Sequence, residues 1–532
     1  MNLKIKAAVA ALAFFLTGCT SNFLDINSNP YEPDAGQMQA DGYIISAALS
    51  SLASTVISTD VNTAQYTECL MGGTLGGYFA DSNTSFTRAI ATYNATDNWT
   101  NVLLASEQCV PKIYSNLADL NKNTDDPVVL AIAQIMKVAA MHRVTDTYGP
   151  IPYSKINSGG ELQVGYDSQE VVYDKMFEEL NSSITLLTDY RTVSIPPTTD
   201  YVYGGNVEKW IKFANSLKLR LAMRIVYANE TKAKEMAEGA IGHEVGVMVA
   251  NSDNAQITNF GDKGNPIYTS VNYNRAADCL TGGDTHVAAE IIAYMNGYKD
   301  PRRPAYFILS EWSNHEFIGL RHGIVIPENS ITRRYSGVNV NTSSPLFWMN
   351  AAEVAFLRAE AAAIFHFDMR GEAGDFYNEG IRLSFEQWGV SGVESYMADA
   401  VNVPEIYVDP YNGVNSYNTT LSEITVAWNE DADKAEKQER IITQKWIANW
   451  QLGNEAWADY RRTGYPHIIP ATVEGNQSLG VVNSKLGARR MPYPVREYTT
   501  NNVNVQQAVS NHLKGADNMA TRVWWDCNPA IN

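Results

Sequence analysis

The residues of this 532-residue chain that could act chemically are aromatic rings and polar side chains in its loop-rich stretches. A neutral sugar presents apolar C–H faces and a shell of hydroxyl groups. A site for it therefore combines flat rings for stacking with Asn, Asp or Arg side chains that bond to hydroxyls. The candidate rings are Tyr78, Phe79, Tyr93, Tyr268, Tyr273, Trp312 and Tyr335, and the candidate polar companions are Asp81, Asn83, Asn274, Asn314 and Arg321.

Each candidate ring has a competing interpretation as a core residue, because most aromatic side chains in a globular protein pack in its interior. Stacking contributes on the order of 1 kcal/mol per ring, so several rings must converge to hold an oligosaccharide. Trp312 is the leading stacking candidate. Trp99 directly precedes a predicted helix, so we assign it to the core and leave it out of the site.

Motifs for catalysis and metal binding are absent from the sequence. It has no HExxH motif and no paired Cys/His cluster, so no zinc site is expected. It also has no GxSxG elbow, P-loop or dinucleotide-binding fingerprint. The acidic run 429–433 lacks the Gly and Glu that an EF-hand loop requires, and we interpret it as the start of a helix. We predict no catalytic residue, metal or cofactor, although two carboxylates facing each other across a cleft would make a surface glycoside hydrolase.

The N-terminus carries a secretion signal. Lys4 and Lys6 precede the apolar run 7–15, which is too short to span a bilayer. The run ends at Leu16-Thr17-Gly18-Cys19, which resembles the lipobox of bacterial lipoproteins, and that resemblance implies cleavage before Cys19 and lipidation of its thiol. The alternative is an ordinary signal peptide with a chance cysteine. The predicted organisation is a signal peptide at 1–18, a lipidated tether at 19–38 and a single body at 39–532.

The net charge limits the classes of partner, and the cysteine content limits the possible disulfides. Loss of the signal peptide removes two lysines and no acids, which moves the formal charge from −18 to −20. A body this acidic is a poor candidate for binding nucleic acid or anionic membrane surfaces. Two disulfides and buried free thiols are equally compatible with the remaining cysteines, which are Cys69, Cys109, Cys279 and Cys527.

Apolar periodicity predicts a mainly helical scaffold that positions these residues. Between Leu346 and Gly389, two apolar helical stripes flank a break at 369–371, where Gly371 is expected to take a positive φ. Such a pair matches one tetratricopeptide unit of roughly 34 residues and must stack on other helices. Further helices are predicted at Ala40–Ser58, Asn101–Leu120, Val128–Thr145, Ser168–Asp189, Asn206–Tyr227 and Glu436–Tyr460.

Two loop-rich segments, at about 71–100 and 251–344, interrupt the predicted helices. Long irregular segments in compact proteins are usually functional, so we expect these two to form the ligand face. Within the second segment, Gly323–Ile326 is expected to be β-like. The C-terminal segment that begins at Arg489 is punctuated by Pro and Asn and is expected to wrap the surface.

Several blocks together resemble the SusD/RagB family of outer-membrane nutrient-binding lipoproteins. Each block alone is a weak signal, but their order runs from just after Cys19 almost to the C-terminus. The blocks are FLDINSNPYEP, TDTYGPIPYS, WIKFANSLKLRLAMRI, DPRRPAY, FIGLRHG, EVAFLRAEA, WADYRRTGYP, RMPYPVREYTTN and RVWWDC.

The resemblance implies a scaffold of tetratricopeptide-like helix pairs with a loop-built ligand face. It also implies a SusC-like TonB-dependent transporter as partner, on which the lipoprotein acts as a lid that captures glycans or, in some members, oligopeptides. The sequence departs from the family where an acidic run often follows the lipidated cysteine, because Thr20, Ser21 and Asn22 stand there. A glycan-binding surface lipoprotein at the outer membrane is therefore expected, and an oligopeptide binder is the alternative.

Overall fold

The computed structural model describes residues 42–156, 163–277 and 279–531. The predicted signal peptide, Cys19 and the tether lie outside the described residues. The chain divides into a short N-terminal unit, Met1–Ala47, and a large unit, Ala48–Asn532. The elements that position the candidate site belong to the large unit.

Helices dominate the described residues, which confirms the mainly helical fold class. Short 3-10 turns at Asn251–Asp253 and Gly261–Lys263 and a π-helix at Gln65–Gly73 accompany the α-helices. The α-helices are α1 Tyr43–Val56, α2 Val61–Ala64, α3 Asp97–Thr100, α4 Val102–Ala105, α5 Val110–Asn123, α6 Pro127–Tyr148, α7 Gln169–Asp189, α8 Val207–Arg224, α9 Glu230–Gly242, α10 Pro266–Asn272, α11 Ala289–Gly297, α12 Arg303–Tyr306, α13 Asn329–Thr332, α14 Ala351–Phe365, α15 Ala373–Gln387, α16 Val393–Met397, α17 Lys434–Ala448, α18 Gly453–Thr463, α19 Val495–Thr500 and α20 Asn502–His512.

Side-chain caps fix where several long helices begin. Ser168 caps α7 by accepting from the Val171 amide, and Asn206 caps α8 by accepting from the Lys209 amide. Asp433 accepts from the Glu436 amide at the start of α17. Such caps satisfy amides that have no partner within the helix. The acidic run 429–433 is therefore a helix start, as predicted.

The central helix pair forms as predicted, but its turn differs. Helices α14 and α15 pack against each other across the short connection 366–372. The left-handed residues in this connection are His366, with φ 57°, and Arg370, also with φ 57°. Gly371 does not have the predicted positive φ. A Cβ atom there would lie 2.6 Å from the Phe376 ring, so close packing explains this glycine instead.

Four short strands tie distant segments together. The strands are β1 Phe79–Asp81, β2 Ala255–Ile257, β3 Thr285–Val287 and β4 Leu346–Met349. They form two antiparallel two-stranded sheets, in which β1 pairs with β3 and β2 pairs with β4. In the first sheet, Phe79 lies opposite Val287 and Asp81 lies opposite Thr285. Residues 323–326 are not a strand, so that expectation was wrong.

One further expectation, about residues 436–460, was wrong in detail. The single helix predicted at Glu436–Tyr460 is two helices, α17 and α18. The chain turns between them at Gln451, with φ 76°, and Gly453 then packs so closely on Gly72 that a Cβ atom would lie 2.3 Å from the Gly72 carbonyl carbon. The C-terminal segment contains α19 and α20, and it is anchored in the core by the fully buried indole of Trp525.

Buried ion pairs join the long helices of the scaffold. Arg220 of α8 donates to both carboxylate oxygens of Glu353 of α14, at 2.7 Å each. Arg462 of α18 donates to both carboxylate oxygens of Glu360, also of α14, at 2.7 and 2.8 Å. Bidentate pairs of this kind fix the relative position of helices, because breaking one leaves an uncompensated buried charge.

Candidate ligand-binding surface

Two candidate rings, Tyr78 and Phe79, lie in the core. The Tyr78 ring stacks on the Trp446 ring at a centroid distance of 5.5 Å and an interplanar angle of 13°, and its hydroxyl donates to the Trp446 carbonyl. The Phe79 ring meets the edge of Trp450 at 5.5 Å. Together with Tyr306, which stacks on Trp450 at 5.4 Å, they form a core ring cluster. Both candidates are fully buried, so neither offers a face to a ligand.

Two more candidate rings are buried at loop junctions. Tyr335 is 1% exposed, and its hydroxyl donates to the Asp409 carboxylate. Tyr93 is 7% exposed and has a left-handed backbone, with φ 59°. Burial raises the pKa of both hydroxyls above the ordinary value for tyrosine. Their surroundings are those of residues that hold loops in place.

Residues from three separate segments meet at the carboxylate of Asp284. The Asn83 amide donates to Asp284 Oδ1 at 2.7 Å, and the Gln65 amide donates to Oδ2 at 3.1 Å. The Tyr273 hydroxyl also donates to Oδ2. We call Gln65, Asn83, Tyr273 and Asp284 the Asp284 cluster. Asn83 and Tyr273 were predicted site residues from different segments, and the pairing of β1 with β3 brings them together.

Asp81 lies behind this cluster and is 4% exposed. Neither of its carboxylate oxygens has a hydrogen-bond partner among the residues the structure describes. Burial raises the pKa of the Asp81 carboxyl to about 8, and the charge of Asp284 adds to the shift. Because an ionised carboxylate is costly to bury without a partner, Asp81 is protonated at neutral pH. It is therefore a buried acid beside the surface, whereas the sequence predicted an exposed partner for hydroxyls.

Trp312, the leading candidate, is half-buried in the loop 309–317. The Arg334 guanidinium lies 3.7 Å from its ring centroid, and the Tyr335 ring approaches it edge-on at 5.7 Å. A cation–π contact of this kind covers one face of the indole. At most one face of Trp312 is thus open to a ligand. Asn314, two residues further on, is exposed.

The remaining candidates are dispersed. Arg321 is 7% exposed, and it donates to the carbonyls of Asn415, Ser416 and Pro470, so it joins three loop segments. Tyr268 is half-buried on α10. Asn274 is exposed just beyond α10, in a left-handed turn with φ 54°.

A group of three half-buried rings was missed by the sequence analysis. The Phe86 ring meets the Trp99 ring edge-on at 4.7 Å, and the Tyr66 ring does so at 5.6 Å. We call Tyr66, Phe86 and Trp99 the ring trio. Trp99 was assigned to the core, but α3 has a single turn and leaves the indole half-buried. Trp99 lies within this one-turn helix and not before a long one, as the sequence analysis assumed.

The ring trio and the Asp284 cluster are connected through the chain. Tyr66 follows Gln65 directly at the start of the π-helix, and Phe86 lies three residues after Asn83. π-helical turns are rare and occur frequently at functional sites. The two groups together provide half-buried aromatic edges beside a carboxylate and two amides, which is the chemistry that a sugar requires.

Comparison with known protein families shows which family the chain belongs to. The SusD-like family, described as Susd and RagB outer membrane lipoprotein, matches residues 25–526. The chain belongs to the SusD-like family. None of the curated proteins matches it.

Solved SusD homologues share the fold over nearly the whole chain. One from Bacteroides uniformis is 57% identical with a TM-score of 0.89, and the match covers 92% of this chain and 100% of that chain. One from Bacteroides ovatus is 39% identical with a TM-score of 0.84, at the same coverage. A chitin-binding SusD homologue from Flavobacterium johnsoniae is 37% identical with a TM-score of 0.84, covering 91% of this chain and 99% of that chain.

Membership of the SusD-like family confirms the resemblance found in the sequence. It also places the chain in a family of outer membrane lipoproteins. In the block WADYRRTGYP, Arg462 forms a buried ion pair with Glu360. Its neighbour Arg461 instead donates to the carbonyls of Asp146 and Arg489.

Three of the described cysteines, Cys69, Cys109 and Cys527, belong neither to the ring trio nor to the Asp284 cluster. Cys69 and Cys109 are buried free thiols, and Cys527 is an exposed free thiol. Burial raises the pKa of the Cys109 thiol to about 12 and raises that of Cys69 further. Buried thiols with raised pKa values are inert packing groups.

Proposed function

We propose that this SusD-like protein is a lipoprotein anchored through Cys19, facing the cell exterior, that binds an oligosaccharide and delivers it to a SusC-like TonB-dependent transporter. The observation that carries the proposal is the ring trio beside the Asp284 cluster. The exposed parts of these half-buried rings supply surface for stacking, and the amides of Gln65 and Asn83 and the carboxylate of Asp284 supply hydrogen bonds for hydroxyls.

The chemistry of the Asp284 cluster favours binding over cleavage. A retaining or inverting glycosidase needs two carboxylates that reach the scissile bond, one of them as a proton donor. Burial raises the pKa of the Asp284 carboxyl, and the hydrogen bonds from Asn83 and Gln65 oppose that shift only in part. Asp81 holds a proton but is buried behind the surface. Both oxygens of Asp284 already accept hydrogen bonds from protein donors, and Asp81 is buried, so neither acid is free to donate a proton to a bound sugar. The proposed protein therefore captures its ligand intact.

The choice of a glycan over an oligopeptide rests on the rings and on a relative. Flat rings recognise the apolar faces of pyranose sugars, whereas an extended peptide requires a row of backbone donors and acceptors. The chitin-binding homologue from Flavobacterium johnsoniae supports a carbohydrate ligand for this chain too. Trp312, with one face covered by Arg334, is proposed as an outer contact on the same irregular face.

Titration of the full chain, purified in detergent, tests the proposal. Chitooligosaccharides and other neutral oligosaccharides are compared with a peptide mixture by calorimetry, and the recovered ligand is analysed for cleavage. We expect binding of at least one oligosaccharide with no products. Trp99→Ala should weaken it about tenfold, which corresponds to 1.4 kcal/mol. The matched control is Tyr190→Ala, which removes an exposed ring at the end of α7. Binding of peptides alone, or release of shortened sugars, would overturn the proposal.

A further inference from the structure

A polar cleft that shares no residue with the ring trio or the Asp284 cluster lies among α1, α5 and two loops. It has a volume of ≈ 460 Å³, within the usual range for small-molecule sites. The C-terminal half of α1 and the start of α5 form one side, and the loops around residues 201 and 257–263 form the other. We call it the basic cleft, and its lining includes Ser54, Asp60, Lys112, Tyr201, Phe260 and Lys263.

Lys112 is a half-buried ammonium held by neutral groups. Its Nζ atom donates to Ser54 Oγ at 2.9 Å and to Gln108 Oε1 at 3.3 Å. No salt bridge to a carboxylate forms at Lys112 among the residues that the structure describes. Lys137, by contrast, lies 2.7 Å from a Glu179 oxygen, and Lys232 lies 2.6 Å from an Asp174 oxygen. The charge of Lys112 is therefore less compensated than those of these two lysines.

A second cation adds to the uncompensated positive charge in the cleft. Lys263 stands on the 3-10 turn Gly261–Lys263 and lines the same cleft. Burial lowers the pKa of the Lys112 ammonium. Asp60 and Cys109 oppose that shift, and the charge of Lys263 lowers the pKa further. Asp60 already accepts the Thr63 amide and hydroxyl through Oδ1 as the cap of α2. An anion between the two ammonium groups would relieve their repulsion.

The other walls suit a sugar ring. Tyr201 is 42% exposed, and Phe260 is half-buried beside it in the lining of the cleft. Gln108 and Asn259 add amide groups that can bond to hydroxyls. A ligand that combines a pyranose ring with one negative charge would use the rings, the amides and the two lysines together.

We propose that the basic cleft binds an acidic sugar unit whose carboxylate or sulfate group lies between Lys112 and Lys263. The assignment to a sugar, rather than to another organic anion, rests on the proposed function. The proposed anion-binding role of the two lysines rests on their place in one cleft and does not depend on the proposed function. The protein would then hold charged and neutral parts of a glycan at separate places.

The test uses the full chain in detergent and three probes: trigalacturonate, a sulfated galactose trimer and neutral galactotriose. We expect at least one acidic trimer to bind more tightly than the neutral trimer, and added salt to weaken that binding. Lys112→Gln should weaken acidic binding about tenfold. Lys263→Gln should do so to a smaller extent, because Lys263 is exposed. The relative affinities of the two acidic trimers show whether the cleft prefers carboxylate or sulfate.

Matched controls separate this inference from the proposed function. Lys122→Gln removes an exposed lysine from the last turn of α5 and should leave all affinities unchanged. Trp99→Ala should leave Lys112-dependent binding intact. Failure of neutral oligosaccharides to bind at all would contradict the proposed function, while loss of acidic binding in Lys112→Gln would still support the cleft. Acidic binding that survives both lysine substitutions, or equal affinity for acidic and neutral trimers, would overturn the inference.

Discussion

The core ring cluster and the ring trio have similar ring-to-ring distances but differ in how deeply their rings are buried. Centroid distances are 5.4 to 5.5 Å for the core pairs described above and 4.7 and 5.6 Å in the trio. In the core, stacked and edge-on neighbours enclose each ring. In the trio, the two contacts described are edge-on, and all three rings remain half-buried.

The difference shows how one residue type serves two purposes. The polar atoms of three core rings are bonded to the backbone: the Trp446 indole donates to the Gly76 carbonyl at 2.7 Å, and the Tyr78 and Tyr306 hydroxyls donate to the Trp446 and Ile447 carbonyls. Such rings contribute to stability through burial. The trio rings bury less area and keep surface free, so their contribution should appear in binding. Substitutions in the core ring cluster should therefore lower the free energy of unfolding, whereas substitutions in the ring trio should mainly lower the affinity for ligand.

The largest effect is expected from a core ring. Trp450→Ala removes a ring that stacks on Tyr306 and meets Tyr78 and Phe79 edge-on. The free energy of unfolding should fall by about 3–5 kcal/mol, the range for large-to-small changes in a core. Denaturant unfolding measures it. A loss below about 1 kcal/mol would show that this cluster does not stabilise the fold.

Asp81 lies between the two regions, directly after the core residues of β1 and beside Asp284. Its pKa is raised to about 8 in the fold by burial, so the folded state binds this proton more tightly than the unfolded state. The stability that the protonated form provides is complete below the unfolded pKa and is lost as the pH rises from about 4 to about 8.

Asp81→Asn should therefore gain stability relative to the wild type as the pH rises. We expect a relative gain on the order of 1–3 kcal/mol between about pH 5 and about pH 9, because only the wild type has a buried carboxyl that must lose its proton over this range. Unfolding measured at both pH values checks this. Asp262→Asn, at an exposed acid, is the control. If the free energy of unfolding of Asp81→Asn differed from that of the wild type by the same amount at both pH values, Asp81 would not be a buried acid with a raised pKa.

A smaller effect on stability is expected from the ring trio. Phe86→Ala removes an edge-on neighbour of Trp99 that is itself half-buried. The free energy of unfolding should change by about 1 kcal/mol or less, while affinity for the oligosaccharide should fall about threefold to tenfold. Paired unfolding and titration experiments measure both. A large loss of stability without loss of affinity would assign the trio to the core.

Local signals in the sequence were sufficient for the scaffold. The caps at Ser168 and Asn206 stand where the helical periodicity begins, and both helices start there. Caps and periodicity depend on neighbours within a few residues, so the chain reveals them directly. The turn after α14 was less predictable, because His366 takes the left-handed conformation that Gly was expected to supply.

The site depended on contacts that the sequence does not display. Tyr78 and Phe79 lie in a polar, glycine-rich stretch that resembles an exposed loop, yet the pairing of β1 with β3 and packing on α17 bury both rings. Trp99 was misassigned for the opposite reason, since it lies in a helix of only one turn that leaves its indole half-buried. Asn83 and Tyr273 were correctly chosen as polar and ring candidates, but only tertiary structure shows that they share Asp284.

A crystal structure of the full chain with its tightest-binding oligosaccharide would test the central claim most directly. The account predicts sugar carbons within about 4 Å of the Trp99 ring and hydroxyl groups hydrogen-bonded to Asn83 or Asp284, with the glycosidic bonds intact. A ligand seated away from the ring trio, with Trp99 no closer in the complex than in the free protein, would contradict it.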